Sequence, residues 1–124
     1  MIAARPLVAV VDDDESVRES LPDLLGVLGY DTRAFSSAEA FLASKEVSKT
    51  KTLVLDIAMP GMSGPELVEE LARTGHKIPV VFITAHRDAG VRALAQGAIA
   101  CLFKPFSDTE LATALETALK VNRE

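Results

Sequence analysis

Residues 53–61 have the sequence LVLDIAMPG, and the rest of the chain is organised around them. The apolar run at the start predicts a buried β-strand, and the Pro-Gly pair at the end predicts a turn that leads the chain out of it. Asp56 stands at the carboxyl end of the run. An aspartate at such a point is either a turn residue or the centre of a site, and this stretch alone leaves both interpretations open. The residues at the other strand ends must decide between them.

Apolar runs and amphipathic segments alternate along the whole chain. The run from Leu7 to Val11 is continuous, which is typical of a strand covered on both sides. Further strands are predicted over 30–35, 79–83 and 99–103, and amphipathic helices between and after the strands, including a short one over Val91 to Gln96. Three helix starts carry a capping box: Ser36 with Glu39, Ser63 with Glu66, and Ser107 with Glu110. Five strands alternating with five helices predict an α/β domain whose parallel sheet has helices on both faces.

Length, charge and cysteine content narrow the class of protein. A chain of 124 residues fits a single domain. A net charge of −5 disfavours direct nucleic-acid binding by this segment, which would need clustered Lys and Arg. No apolar run approaches the length of a membrane span. The single cysteine, Cys101, excludes an internal disulfide and favours a cytoplasmic location.

Polar residues follow four of the five predicted strands. They are Asp12 and Asp13, Asp56, Thr84, and Lys104. In an open parallel sheet all carboxyl ends lie at one edge, where ligands bind at the point at which the strand order reverses. Taken singly, each residue could be a cap, a turn residue or a solvated charge. Their joint occurrence favours a site.

The residue types at this edge indicate phosphoryl chemistry. Three gathered carboxylates repel one another unless a cation relieves them. Mg²⁺ prefers a few carboxylates and takes further oxygens from water and phosphate. Lys104 and the Thr84 hydroxyl would complete a pocket for a small oxyanion, which suggests phosphoryl transfer onto Asp56.

The chain closely resembles the receiver domain of two-component response regulators. The resemblance extends from about Leu7 to Leu119 and rests on VVDDD at 10–14, LDIAMPGMSG at 55–64, ITA at 83–85 and KPF at 104–106. It is strongest to the FixJ-type branch, in which a helix-turn-helix DNA-binding domain usually follows; no such domain is expected within these 124 residues. The resemblance implies a flavodoxin-like (βα)5 fold with strand order 2-1-3-4-5.

The resemblance also implies a role for each residue of the acidic cluster. Asp56 matches the phosphoacceptor, which takes its phosphoryl group from a phosphohistidine of a sensor histidine kinase. Asp13, Asp56 and the backbone carbonyl of Ala58 match the protein ligands of Mg²⁺, and Asp12 matches an acid that acts through metal-bound water.

Thr84 and Lys104 match the hydroxyl and the ammonium that contact the phosphoryl group. The peptide bond between Lys104 and Pro105 is typically cis in the family. The implied protein is a signalling switch rather than a turnover enzyme, with slow self-dephosphorylation. Its output surface, which would also serve a possible homodimer, is the fourth helix, fifth strand and fifth helix.

Two features depart from the family pattern. Cys101 occupies the position three residues before Lys104 where receivers generally have an aromatic residue. It is interpreted as a small buried strand residue, with a redox role as the alternative. Thr84 and Lys104 lie 20 residues apart, about two fewer than the family pattern, and the shortening falls between His86 and Gln96.

Two other functions compete with the phosphorylated switch. The first is a receiver-like interaction module that is never phosphorylated. The second is a phosphatase with an aspartate nucleophile, which would need a second acid two residues after Asp56, where Ala58 stands.

Overall fold

The computed structural model describes residues 5–89, 92 and 97–123. Its core is one sheet of five parallel strands in the order β2-β1-β3-β4-β5. The strands are β1 (Leu7–Val11), β2 (Asp31–Phe35), β3 (Thr52–Asp56), β4 (Val80–Thr84) and β5 (Ala100–Phe103). The predicted flavodoxin-like fold and its strand order are therefore confirmed, and the predicted strand limits hold within about a residue.

Helices cover both faces of this sheet. They are α1 (Glu15–Val27), α2 (Ala38–Leu42), α3 (Gly64–Arg73) and the C-terminal helix (Asp108–Arg123). The helix predicted over Val91 to Gln96 lies outside the described residues, apart from Arg92, which is helical. No helix in the described part of the chain combines the length and the apolar character needed to span a membrane.

The sheet divides the interior into two apolar cores. On one face Leu53 and Leu55 pack with residues of α2 and α3, including Phe41 and Leu67. On the other face Val54 packs with residues of α1 and the C-terminal helix. Because successive residues of a strand point to opposite faces, a strand buried on both sides must be apolar at every position. This requirement explains the unbroken apolar runs that precede the polar residues at the strand ends.

Two of the three predicted capping boxes are confirmed. Glu66 and Ser63 exchange backbone-to-side-chain hydrogen bonds at the start of α3, and Glu110 and Ser107 do the same before the C-terminal helix. These reciprocal bonds satisfy amide groups that have no partner within the helix.

The predicted capping box of Ser36 with Glu39 is wrong. The N-cap of α2 is Ser37, whose hydroxyl accepts the Ala40 amide at 3.0 Å. With the cap one residue later, Glu39 is no longer three residues after it, which is the spacing that a capping box requires. Its carboxylate instead accepts the backbone N–H of Met62, 23 residues away, at 3.0 Å.

Candidate functional site

The strand register brings the predicted site residues to one edge of the sheet. Asp56 and Thr84 are the last residues of β3 and β4, while Asp12 and Lys104 come directly after β1 and β5. Backbone bonds continue the sheet at this edge, since the Asp12 amide donates to the Phe35 carbonyl at 3.1 Å. The Lys104 amide likewise donates to the Thr84 carbonyl at 2.8 Å. The edge is thus held by the sheet itself rather than by loose loops.

Asp12, Asp13 and Asp56 form an acidic cluster. Each offers one carboxylate oxygen, and these oxygens lie within 4.8 Å of one another. Asp12 is fully buried and Asp56 is only 7% exposed, whereas Asp13 is exposed. Two buried acids and one at the surface make a cluster that opens to solvent on one side.

Helix capping does not account for Asp12 and Asp13. The N-cap of α1 is Asp14, whose carboxylate accepts the Ser16 amide at 2.9 Å. The Asp14 amide in turn donates to Asp12 Oδ1 at 2.9 Å. The three consecutive aspartates therefore have distinct roles, and the first two remain available to the cluster.

Burial and neighbouring charge act strongly on Asp56. Its pKa is raised to about 7, chiefly by removal from water; the charge of Asp12, a hydrogen bond with Asp12 and the charge of Asp13 act in the same direction, while the charge of Lys104 opposes them. A cation bound next to Asp56 would stabilise its ionised form, because it would relieve the repulsion among the three carboxylates. Oxygen donors at this spacing fit a hard divalent metal ion such as Mg²⁺.

Lys104 is paired with Asp12. Its Nζ lies 2.9 Å from Asp12 Oδ2, and Asp12 is the more deeply buried of the two. Burial alone would lower the pKa of Lys104, but the hydrogen bond to Asp12 and the charges of Asp56, Asp12 and Asp14 raise it. The ammonium is therefore held in its charged form. The sequence places Lys104 at this edge, and the structure adds the identity of its partner.

The Thr84 hydroxyl is fully buried and bonded to its own loop. It accepts the His86 amide at 2.9 Å and donates to the His86 carbonyl at 3.4 Å. One residue further on, the Arg87 guanidinium lies 4.7 Å from the ring centroid of Phe103. Phe103 directly precedes Lys104, so this stacking joins the two segments that carry Thr84 and Lys104. No residue pattern indicates the Arg87–Phe103 contact in advance.

Gly64 brings α3 against the backbone at the end of β3. Its amide donates to the Ile57 carbonyl at 2.9 Å. A Cβ at this position would lie only 2.4 Å from the Asp56 carbonyl oxygen. Only glycine permits this approach. The Lys104–Pro105 peptide bond is cis, as the resemblance implies.

Cys101 lies in β5 and packs against the core on the side of α2 and α3. It is partly buried, and burial raises the pKa of its thiol. Because the thiolate is the reactive form of cysteine, a raised pKa favours the interpretation as a packing residue over a redox role.

Comparison with known proteins identifies the family. The family model described as "Response regulator receiver domain" matches residues 8–116. The chain belongs to this family. Receiver domains of this kind work in two-component systems together with histidine kinases.

Sequence relatives place the receiver in the FixJ-type branch. Nodulation protein W of Bradyrhizobium diazoefficiens is 42% identical over 124 residues, which cover 98% of this chain and 55% of the relative. Transcriptional regulatory protein FixJ of Rhizobium meliloti is 42% identical over 113 residues, covering 90% of this chain and 55% of the relative. The receiver thus spans about half the length of the curated relatives it matches.

Solved structures agree with this assignment. The response regulator StyR is 48% identical, with a TM-score of 0.87 over 97% of this chain and 62% of that one. The structure titled FixJ-N is 37% identical, with a TM-score of 0.84 over 95% of this chain and 96% of that one.

Proposed function

We propose that this receiver is a phosphorylation-activated switch that accepts a phosphoryl group on Asp56 from a sensor histidine kinase in the presence of Mg²⁺. The observation that carries the proposal is the convergence of Asp12, Asp13 and Asp56 within 4.8 Å, with Lys104 bonded to the same cluster. This arrangement combines a nucleophile, a site for a cation and a fixed positive charge.

The chain's own residues divide the work of the transfer. An oxygen of the ionised Asp56 carboxylate attacks phosphorus, so a P–O bond forms while the P–N bond to the donor histidine breaks. The departing imidazole keeps the electron pair of that bond and takes a proton from solvent. Because the pKa of Asp56 is raised to about 7, the carboxylate needs a neighbouring cation to be fully ionised at neutral pH.

The metal would be held by Asp13, Asp56 and the Ala58 carbonyl, with Asp12 acting through water. When bound, Mg²⁺ neutralises charge on the carboxylates and on the phosphoryl oxygens. The donor chemistry supports this assignment, since all the proposed ligands are oxygens.

The proposed switch depends on a change in the hydrogen-bond partners of Thr84 and Lys104. A phosphoryl group adds about −1.5 to −2 charge and strong acceptor oxygens next to them. Lys104 then has a second anionic partner besides Asp12, and the Thr84 hydroxyl has an alternative to the His86 amide. Whichever conformation satisfies the new acceptors becomes more populated.

The output surface is the predicted face formed by the fourth helix, β5 and the C-terminal helix. We propose that this face also forms a homodimer, and that a DNA-binding output domain lies elsewhere in the full protein. The length of the curated relatives supports the proposed output domain, because the receiver spans 55% of Nodulation protein W and of FixJ. The receiver itself turns over no substrate beyond slow self-dephosphorylation, does not bind nucleic acid directly, and acts in the cytoplasm.

A receiver-like module that is never phosphorylated is the second candidate. Cys101, at the position of the usual aromatic residue, is the observation that favours it. The presence of Asp12, Asp13, Asp56 and Lys104 in one cluster favours the phosphorylated switch. The phosphatase is disfavoured by Ala58, which offers no acidic side chain.

The mass of the intact protein after incubation with acetyl phosphate and Mg²⁺ tests the proposal. We expect one phosphoryl adduct on the wild type and none on Asp56→Asn. Asp31→Asn is the matched control, because Asp31 is exposed at the opposite edge of the sheet, and it should react like the wild type. Absence of the adduct on the wild type, with acetyl phosphate and with a phosphorylated histidine kinase, would leave the unphosphorylated module. Rapid multiple turnover of phosphate esters would favour the phosphatase.

A further inference from the structure

Glu39 makes a long-range contact for which the proposed switch gives no reason. It is the second residue of α2, and its Oε2 accepts the backbone N–H of Met62 at 3.0 Å. The contact joins segments 23 residues apart. Met62 belongs to residues 57–63, here called the phosphoacceptor loop, which runs from the end of β3 to the N-cap of α3.

The carboxylate lies directly over the turn of this loop. A Cβ on Gly61 would stand 2.6 Å from Glu39 Oε2, and Gly61 has a positive φ of 75°. The turn therefore depends on glycine for its backbone conformation, and a larger residue at Gly61 would also displace the Glu39 carboxylate. A charged acceptor makes a stronger bond to a backbone amide than a neutral one does.

Both partners of the contact rest on the same core. Ala38 and Phe41 of α2 are fully buried, and Met59 of the phosphoacceptor loop is 9% exposed in the same apolar cluster. Phe41 also stacks edge-on against Phe35, with 5.3 Å between the ring centroids. Because α2 cannot shift without disturbing this packing, Glu39 is presented from a fixed support.

The far end of the phosphoacceptor loop is fixed independently. Ser63 and Glu66 form the capping box of α3, and the Gly64 amide bonds to the Ile57 carbonyl. Between these anchors lie Ala58 and Gly61, which are exposed. Glu39 supplies the remaining side-chain bond to this stretch among the hydrogen bonds of the described residues.

We infer that Glu39 is a positioning residue for phosphorylation: it holds the backbone of the phosphoacceptor loop and so supports metal binding and phosphoryl transfer at Asp56. The inference rests on the proposed function, since Ala58 of this loop is the proposed source of a carbonyl ligand. Residues that orient a ligand of a metal without touching the metal commonly change its affinity by about tenfold or more. Loss of the Glu39 contact should have an effect of this kind.

Three substitutions separate the contact from the charge. Glu39→Ala removes the acceptor. Glu39→Gln keeps an acceptor oxygen of the same reach and removes the charge, while Glu39→Asp keeps the charge and shortens the reach. Glu69→Ala is the matched control. Glu69 is an exposed acid of α3, and its side chain makes no hydrogen bond or salt bridge within the described residues.

Three measurements should be made on the full chain for each variant. The first is amide hydrogen exchange at Met62, which reports the contact without any phosphoryl chemistry. The second is the Mg²⁺ dissociation constant, from amide chemical shifts during titration. The third is the rate of adduct formation with acetyl phosphate. Thermal unfolding accompanies them as a check on the fold.

We expect Glu39→Ala and Glu39→Asp to exchange the Met62 amide faster, to bind Mg²⁺ about tenfold more weakly and to react more slowly, with melting close to the wild type. Glu39→Gln should recover most of each loss, and Glu69→Ala should match the wild type. Should Glu39→Ala not fold, Glu39→Asp carries the same comparison with Glu39→Gln.

Two failures can be told apart. If the wild type binds Mg²⁺ and forms the adduct, but Glu39→Ala and Glu39→Asp do so equally well, the inference alone is overturned. An equal loss in Glu69→Ala would overturn it too, because general surface charge would then be the cause. If the wild type forms no adduct, the proposed function falls and the role of Glu39 in it falls as well.

Discussion

The two edges of this sheet hold their charges in opposite surroundings. At the carboxyl edge, Lys104 and Asp12 lie 2.9 Å apart with side chains that are 22% and 0% exposed. At the amino edge, Arg5 and Asp31 lie 3.9 Å apart with side chains that are 48% and 58% exposed. Both edges therefore carry an ion pair, and β1 runs from one pair to the other. Only one of the pairs is removed from water.

The difference supports placing the proposed chemistry at the carboxyl edge. Charges in water are screened, so an exposed pair contributes little and responds little to a new neighbour. Charges held out of water interact strongly, and adding or removing one of them shifts the pKa values of its neighbours. A phosphoryl group at the carboxyl edge would interact strongly with the buried charges there. The same group at the amino edge would be screened by solvent.

Replacing the cation of each pair with methionine should show the largest contrast. Lys104→Met leaves the buried Asp12 carboxylate without its counter-ion, and we expect the free energy of unfolding at pH 8 to fall by about 2–3 kcal/mol. Arg5→Met should change it by less than about 0.5 kcal/mol. Urea denaturation of both variants and the wild type measures the difference. Equal losses would show that burial does not distinguish the two edges.

The pH dependence of stability should reveal the raised pKa of Asp56. Its folded-state pKa is about 7, well above the 3.8 of a freely solvated aspartate, so between these pH values the folded state holds a proton that the unfolded state has lost. Stability from this group is therefore fully present at low pH and is lost as the pH rises through about 7. Allowing for partial solvation, Asp56→Asn should be more stable than the wild type at pH 8 by roughly 1–2 kcal/mol.

Denaturation of wild type and Asp56→Asn at pH 5 and pH 8 tests this expectation. The advantage of the variant should grow with pH and shrink when Mg²⁺ is added at pH 8, because the cation relieves the ionised cluster. Asp31→Asn, at the exposed edge, should show no such trend. A constant difference between Asp56→Asn and wild type across this range would contradict the raised pKa.

Asp14 separates location from burial, since it lies at the carboxyl edge but is exposed. Its carboxylate caps α1 through the Ser16 amide. Asp14→Ala should cost about 1 kcal/mol, and Asp14→Ser should restore most of that, because serine also serves as an N-cap. Both variants should still form the acetyl phosphate adduct. A large loss of phosphorylation in Asp14→Ser would instead mean that its charge belongs to the site.

The sequence predicts the fold and the members of the site because both depend on local patterns. Unbroken apolar runs identify strands buried on both faces, and the polar residue that ends each run must lie at the shared edge. This pattern identifies the candidate site residues Asp12, Asp13, Asp56, Thr84 and Lys104. Motifs of a known family then gave each of them a proposed role.

The sequence does not predict which side chains form contacts between positions far apart in the chain. Lys104 and Asp12 are 92 residues apart, and Glu39 and Met62 are 23 apart. The Ser36–Glu39 capping box failed for a related reason. Ser36 and Ser37 are both suitable N-caps, and the choice between them depends on the packing of Ala38 and Phe41 in the core.

The close approach at Gly64 determines which part of the molecule can move when Asp56 is modified. The start of α3 touches the backbone of Asp56 itself, with no side chain between them. This contact and the hydrogen bond from the Gly64 amide to the Ile57 carbonyl couple the position of Asp56 to that of α3. A new charge on Asp56 should therefore cause rearrangement on the other side of the site. There Thr84 and Lys104 are held by side-chain hydrogen bonds that can be exchanged for others. Under the proposed function, Gly64 therefore predicts that the response to phosphorylation occurs on the side of Thr84 and Lys104, while the start of α3 stays in place.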